Sequence, residues 1–213
     1  MFDDPKVQVV FKKYEERREA DARRMRELGP ESIHHRDEFL LPIGPDVGRF
    51  VHALILAKRP RTILEVGTSY GYSTIFLADA ARSVGARVVT LEIADHKQAY
   101  ARDQLIAAGL ENVVDFRLGD AVQTITLAED IFDLALIDIW KELYLPAFDA
   151  LYNKLSEEAV IIADNMIEPQ SARDDVRKYR AAVKNKSDFQ TALLPIGSGI
   201  ELSVKLTAGS NLL

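Results

Sequence analysis

At 213 residues, 47% hydrophobic and 28% charged, the chain has the make-up of one ordinary globular domain with a single large core. It has no cysteine, which excludes disulfides, thiolate metal sites and a cysteine nucleophile. A net charge of -6 counts against binding to nucleic-acid backbones, and no stretch nears the roughly 20 apolar residues of a membrane span. Met1 to Pro5 lack the basic-then-apolar pattern of a secretory signal, so a cytoplasmic protein is expected.

In chain order, Val7 to Leu28 form a charge-rich helix in which Val7, Val10, Phe11 and Tyr14 keep helical spacing. It reads as a mostly solvated helix on the domain surface; a lid or a homodimer contact is the sharper alternative. Arg17, Arg18, Arg23, Arg24 and Arg26 alternate with acids there, a solvated face rather than a nucleic-acid patch. Gly29-Pro30 ends the helix, and Ile33 to Asp46, with His34 and His35, reads as a connecting loop. A second helix is expected from Asp46 to Lys58, with Asp46 as its N-cap. Apolar runs then recur at Thr62–Val66, Arg87–Leu91, Val113–Leu118, Phe132–Ile137 and Ala159–Ala163, separated by helical stretches of about 12 to 20 residues. That rhythm predicts a doubly wound α/β fold with five parallel strands. Gln190–Leu194 and Ile200–Leu206, joined by Pro195-Ile196-Gly197-Ser198-Gly199, predict an antiparallel hairpin at the C-terminal edge, seven strands in all. The whole of 1–213 is expected to form one domain, with an N-terminal helix and loop over 1–44 and a core over 45–213.

The first strand runs into Glu65-Val66-Gly67-Thr68-Ser69-Tyr70-Gly71-Tyr72-Ser73. Gly67 and Gly71 permit a tight turn and close approach of a ligand at the strand's carboxyl end. Two glycines four apart are not the G-x-G-x-x-G dinucleotide pattern, and nothing basic sits in the turn, whereas an acid, Glu65, immediately precedes it. That suits the ammonium and sulfonium of S-adenosylmethionine better than a pyrophosphate. Glu92 ends the second strand where a ribose-binding acid is expected; alternatively it faces the next helix, whose N-cap would be Asp95. Gly119-Asp120-Ala121 closes the third strand beside the expected adenine position, although Asp120 reads equally as a helix N-cap. At the ends of the fourth and fifth strands stand Asp138, Asp164 and Asn165. Three oxygen donors without His or Cys suit a hard divalent cation, Mg²⁺ foremost, with three positions left for substrate and water. Lys141 follows Asp138 by three residues, and Trp140, the sole tryptophan, is either an apolar wall of the site or ordinary packing.

The pattern Asp-x-Trp-Lys-x-x-Tyr-Leu-Pro at Asp138 to Pro146, together with Ala163-Asp164-Asn165 and a following Pro169, resembles catechol O-methyltransferase and the wider caffeoyl-CoA and bacterial metal-dependent O-methyltransferases. The similarity spans Leu41 to Lys205. It implies a Rossmann-like class I methyltransferase fold and an S-adenosylmethionine- and metal-dependent O-methyltransferase acting on a small catechol-like or vicinal-diol acceptor. By the same resemblance Asp138, Asp164 and Asn165 hold the metal, and Lys141 takes the hydroxyl proton. Ile43, Gly44, Glu65, Ser73, Glu92, Ile93, Gly119 and Ala121 fall on cofactor-contacting positions, with Gly67, Ser69, Gly71, Asp120 and Asp138 completing that set. Glu201 falls on an acid that meets the second substrate hydroxyl; otherwise it is an exposed edge-strand acid. Ile139 and Ala121 depart from a histidine and a serine near the adenine in the mammalian catechol enzymes. The segment before Leu41 has no match, and in this family such segments help shape the acceptor pocket. Three rivals are a methyltransferase for a hydroxylated RNA base, a non-catalytic nucleoside-binding module and a nicotinamide-dependent oxidoreductase. The acid balance counts against the first, the full ligand set against the second and the missing glycine against the third.

Overall fold

The computed structural model describes residues 2–207. Seven strands, β1 (Thr62–Val66), β2 (Arg87–Glu92), β3 (Val114–Leu118), β4 (Phe132–Ile137), β5 (Leu155–Ala163), β6 (Phe189–Leu194) and β7 (Ile200–Lys205), form one sheet in the order β3-β2-β1-β4-β5-β7-β6. The first five are mutually parallel; β7 runs antiparallel to β5 and to β6. Helices α1 (Pro5–Leu28), α2 (Pro45–Lys58), α3 (Tyr72–Val84), α4 (Asp95–Ala108), α5 (Ala121–Leu127), α6 (Tyr144–Tyr152) and α7 (Arg173–Lys184) cover it.

Alternating side chains of the central strands point to opposite faces, as the pleat requires. Ile63, Leu134, Leu136, Val160 and Ile162 join one buried cluster with residues of α1 to α4. Leu64, Val66, Ala135, Ile137, Ile161 and Ala163 join the other, with α6 and α7. A sheet buried on both faces explains why its strands read as near-continuous apolar runs rather than as alternation. The chain order reverses between β1 and β4, and the crevice at such a switch point, beyond the carboxyl ends of the strands, is where α/β sheets bind ligands.

Several boundaries differ from the sequence expectations. The segment expected as a loop winds into 3-10 turns over Gly29–Glu38, because α1 side chains hold it: Arg24 bonds Glu38, and the Leu40 amide donates to Asp21. Helix α2 is capped by Gly44 at φ 82°, with Pro45 at its first position, so Asp46 lies inside the first turn. Likewise Ala94, not Asp95, caps α4. Helices α5 and α6 have only 7 and 9 residues, shorter than the expected stretches. Strand β5 begins four residues early, at Leu155, with a register irregularity opposite Phe132 and Leu134.

Candidate active site

Residues that follow β1, β2, β3, β4 and β5 assemble the site. Gly67 has φ +103°, and a Cβ there would overlap the carbonyl oxygen of Asp138, so the turn after β1 lies directly against the end of β4. Gly71, at φ +88°, leaves no room for a side chain between Ala101 and the Tyr14 hydroxyl, each 2.8 Å from an ideal Cβ. The amides of Gly67 and Thr68 both donate to Leu91 O at 3.0 Å, which ties the turn to β2.

Glu65 is buried beneath this turn. Its carboxylate accepts from Ser73 Oγ at 2.5 Å, Thr74 Oγ1 at 2.7 Å and Thr90 Oγ1 at 2.6 Å. Burial nevertheless raises its pKa to about 7, outweighing the three hydroxyl donors. Glu92 bridges two elements. One oxygen accepts from the Ser69 amide at 2.7 Å, the other from the Ile93 and Ala94 amides at 3.0 and 2.9 Å. It therefore faces the start of α4 and clamps the glycine turn at once, with lone pairs left over for further donors. Ile93 is 72% exposed beside it, and the Gly119 amide donates to Glu92 O. Asp120 caps α5, accepting from the Gln123 amide at 2.8 Å, and Ala121 opens that helix. Ile43 is buried, and its carbonyl lies against Gly197 of the β6–β7 connection, as Val47 of α2 does.

On the β4–β5 side, backbone bonds align the strand ends: the Asp138 amide donates to Val66 O, and the Asp164 amide to Ile137 O. Lys141 Nζ lies 3.6 Å from Asp138 Oδ1 and donates to Ile139 O at 3.1 Å and Tyr144 Oη at 2.6 Å. The Tyr144 hydroxyl in turn shares its proton between Ile137 O and Asp164 O, both at 3.0 Å. Asp164 is buried, and its Oδ1 has no partner. Asn165 adopts the left-handed conformation at φ 57°, which asparagine tolerates better than most residues. Burial and the Asp138 charge push Asp164 up to about 7, and burial pushes Asp138 above the usual carboxylate range against the pull of Lys141. Burial also pulls Lys141 below the usual lysine range, although both aspartates oppose it. Among the described residues no group of three or more His, Cys, Asp or Glu side chains is poised for a metal; the trio here is two aspartates and an asparagine.

A methyltransferase-domain family model matches residues 64–166. Pig catechol O-methyltransferase (Sus scrofa) is 30% identical over 141 residues, 62% of this chain and 74% of that protein. The chain belongs to the S-adenosylmethionine-dependent O-methyltransferase family. The catechol O-methyltransferase of Mus musculus is 28% identical over 190 residues, covering 82% of this chain and 69% of the relative. That of Mycobacterium tuberculosis is 38% identical over 128 residues, 60% of this chain and 58% of the relative. An O-methyltransferase from Bacillus cereus, solved with S-adenosylhomocysteine, superposes with a TM-score of 0.73 at 26% identity, covering 90% of this chain and 99% of that one. The S-adenosylmethionine complex of an O-methyltransferase from Streptomyces achromogenes shares the fold at a TM-score of 0.73 and 24% identity, covering 82% and 86%. The protein is thus an O-methyltransferase that uses S-adenosylmethionine.

Of the two readings of Glu201, the alternative of an exposed edge-strand acid is overturned. β6 is the edge strand; Glu201 lies on β7 opposite Ala163, is fully buried, and bonds Arg180 Nε at 2.7 Å and Thr191 Oγ1 at 2.8 Å. Sequence reasoning missed Tyr144, Thr90, Tyr14 and Arg180. Tyr144 was within reach, since it lies in the quoted motif three residues after Lys141. Thr90 is an ordinary strand residue and gave no signal.

Proposed function

We propose that this methyltransferase transfers its methyl group to a hydroxyl of a small acceptor with two adjacent hydroxyls, assisted by a divalent cation. The observation that carries the proposal is the group at the ends of β4 and β5: Asp138, Asp164 with its unpartnered Oδ1, and Asn165, next to the Lys141 amine. A buried carboxylate oxygen without a donor is costly unless something positive meets it. An all-oxygen set fits Mg²⁺ or a similar hard cation, and Asp138, Asp164 and Asn165 would hold it. Such a cation lowers the pKa of a hydroxyl beside it, and S-adenosylmethionine brings the electrophilic methyl.

The chain's own residues do the rest. Lys141 Nζ accepts the proton of the attacking hydroxyl; burial makes its neutral form more accessible, and Tyr144 with Ile139 O fixes the amine's position. Glu65 and Ser73 serve the cofactor's methionine end, Glu92 its ribose, and Ile93, Gly119 and Ala121 its adenine. Ser69, held by Glu92, keeps the turn in register with the ribose-binding acid. Holding the oxygen, the methyl carbon and the sulfur in line contributes on the order of 7–11 kcal/mol in well-oriented systems. No helix of the described residues is long and apolar enough to cross a membrane, and we place the reaction in the cytoplasm on a small-molecule acceptor. Asp138→Ala and Asp164→Ala should each abolish methylation of a simple catechol while the fold stays largely intact, and in Asp164→Ala S-adenosylhomocysteine should still bind. Full activity of the unmodified enzyme after exhaustive EDTA treatment would remove the metal from the mechanism.

A further inference from the structure

Beside the loop that carries Trp140 and Lys141 lies a cleft of about 350 Å³, lined by Ile33, His34, Arg36, Asp37, Trp140 and Glu142. Four of these come from the 3-10 segment with no counterpart in the motifs that mark the family. The wall they form is fixed to the cofactor side of the site. Lys97 of α4 pairs with Asp37 at 2.8 Å, and the Tyr70 hydroxyl, from the glycine turn, donates to Asp37 O at 2.7 Å.

Charge in the cleft is unevenly satisfied. Of the arginines of the preceding helix, Arg17 pairs with Asp21, Arg18 with Glu15 and Arg24 with Glu38, and none of the helix's arginines lines the cleft. Arg36 pairs with no carboxylate among the described residues; its guanidinium lies 5.7 Å from the centre of the Trp140 ring. Asp37 is neutralised by Lys97, so Arg36 is the cation left for a ligand on this wall. Trp140 is 48% exposed and offers an indole surface in sequence contact with Lys141. Glu142, whose charge acts on Lys141 but which forms no ion pair within 4 Å among the described residues, repels an anion from its own part of the cleft and so favours one orientation of a charged ligand.

We propose that Arg36 and Trp140 select an aromatic acceptor bearing an acidic substituent, such as a carboxylate. The ring lies along Trp140, the anion pairs with the guanidinium of Arg36, and the hydroxyls point to Lys141. This rests on the diol reading given above but can fail separately from it. A guanidinium offers a carboxylate two parallel donors, and an aromatic wall leaves the ring's hydroxyls free.

Because Trp140 is the only tryptophan, its fluorescence reports on this cleft alone. The test titrates 3-(3,4-dihydroxyphenyl)propanoate, its amide and the corresponding phenethylamine into the full-length protein loaded with S-adenosylhomocysteine. The acid should bind roughly threefold to tenfold more tightly than the amide, the size of one partly exposed charge-assisted contact. Arg36→Met should erase that preference while leaving amide binding, and Arg36→Lys should keep part of it. Equal binding of acid and amide, no response to either, or a preference that survives in Arg36→Met overturns the proposal. Tighter binding of the amine overturns it too, and passes the cleft to Glu142. Methyl transfer from S-adenosylmethionine with Mg²⁺ is followed in parallel. A preserved acid preference without any turnover would sink the diol reading and leave the Arg36 assignment standing.

Discussion

At the scale of single residues, two side chains compete for the proton-transfer role, and their surroundings differ. Lys141 is held by a phenol and a backbone carbonyl and has an amine that burial pulls toward neutrality. Glu201 is already committed, with one oxygen on Arg180 and the other on Thr191. Lys141→Met should therefore slow single-turnover methyl transfer by the roughly 10²–10⁴-fold typical of lost general-base catalysis, with cofactor binding intact. Lys141→Arg should not restore it, because a guanidinium stays protonated. Glu201→Gln should show mainly as lost stability, below the about 3–5 kcal/mol of a fully buried pair because Arg180 is partly exposed and can rehydrate. A normal rate in the lysine variant with collapse in the glutamate variant would transfer the role. Glu65 gives a pH signature. Its carboxyl is raised from 4.5 to about 7, so its contribution to stability is full below about pH 4.5 and is lost as pH rises through about 7. Relative to Glu65→Gln, the ligand-free protein should lose up to about 3 kcal/mol across that window. An identical pH slope in both proteins, by denaturant titration, would show that Glu65 ionises as freely when folded as when unfolded.

At the scale of elements, the strands and the two motif-bearing turns were legible because burial on both faces writes itself as apolar runs and a tight turn needs glycine. Boundaries were less so. Asp46 looks like an N-cap by type, but Gly44 at φ 82° followed by Pro45 already starts α2. The N-terminal helix was read as largely solvated, since charge dominates its composition, yet one face is specific. Val7, Val10 and Tyr14 are buried, and the Tyr14 hydroxyl donates to Tyr70 O at 2.6 Å inside the glycine turn. Arg17 stacks over the Tyr70 ring at 3.8 Å. No local pattern announces a bond between residues so far apart in sequence. It makes α1 a support for the cofactor turn, with Tyr14 in a positioning role. Tyr14→Phe keeps the ring and leaves the Tyr70 carbonyl unsatisfied, a cost of about 1–3 kcal/mol for a buried acceptor. If the turn bears that cost, the KM for S-adenosylmethionine should rise several-fold while the KM for the acceptor and kcat stay near normal. A lower melting temperature with unchanged KM for the cofactor would make Tyr14 a packing residue only.

At the scale of the whole molecule, the strand order brings the loops after the five parallel strands to one edge of the sheet, and the two buried clusters fix that edge from both faces. The same rigidity holds the buried Asp164 beside the partly buried Asp138: burial and the Asp138 charge raise Asp164, and burial raises Asp138. Lys141 is the nearest cation and is itself disfavoured there. The folded chain therefore holds a local destabilisation that a divalent cation would relieve, and the relief should be visible in global stability. A ligand at a hundredfold excess over its Kd stabilises by about 2.7 kcal/mol. For a domain of this size that is a rise of roughly 5–10 °C in melting temperature. Calorimetric melts near pH 8 should show such a rise with Mg²⁺ over EDTA in the wild-type protein. In Asp164→Asn, which keeps the shape but removes one of the two facing charges, the rise should vanish. Its melting temperature in EDTA should equal or exceed that of the metal-free wild type, because one repulsive, desolvated carboxylate is gone. Equal melting temperatures with Mg²⁺ and EDTA in the wild type would mean that the strand-end acids, despite the orphaned Asp164 Oδ1, hold no metal.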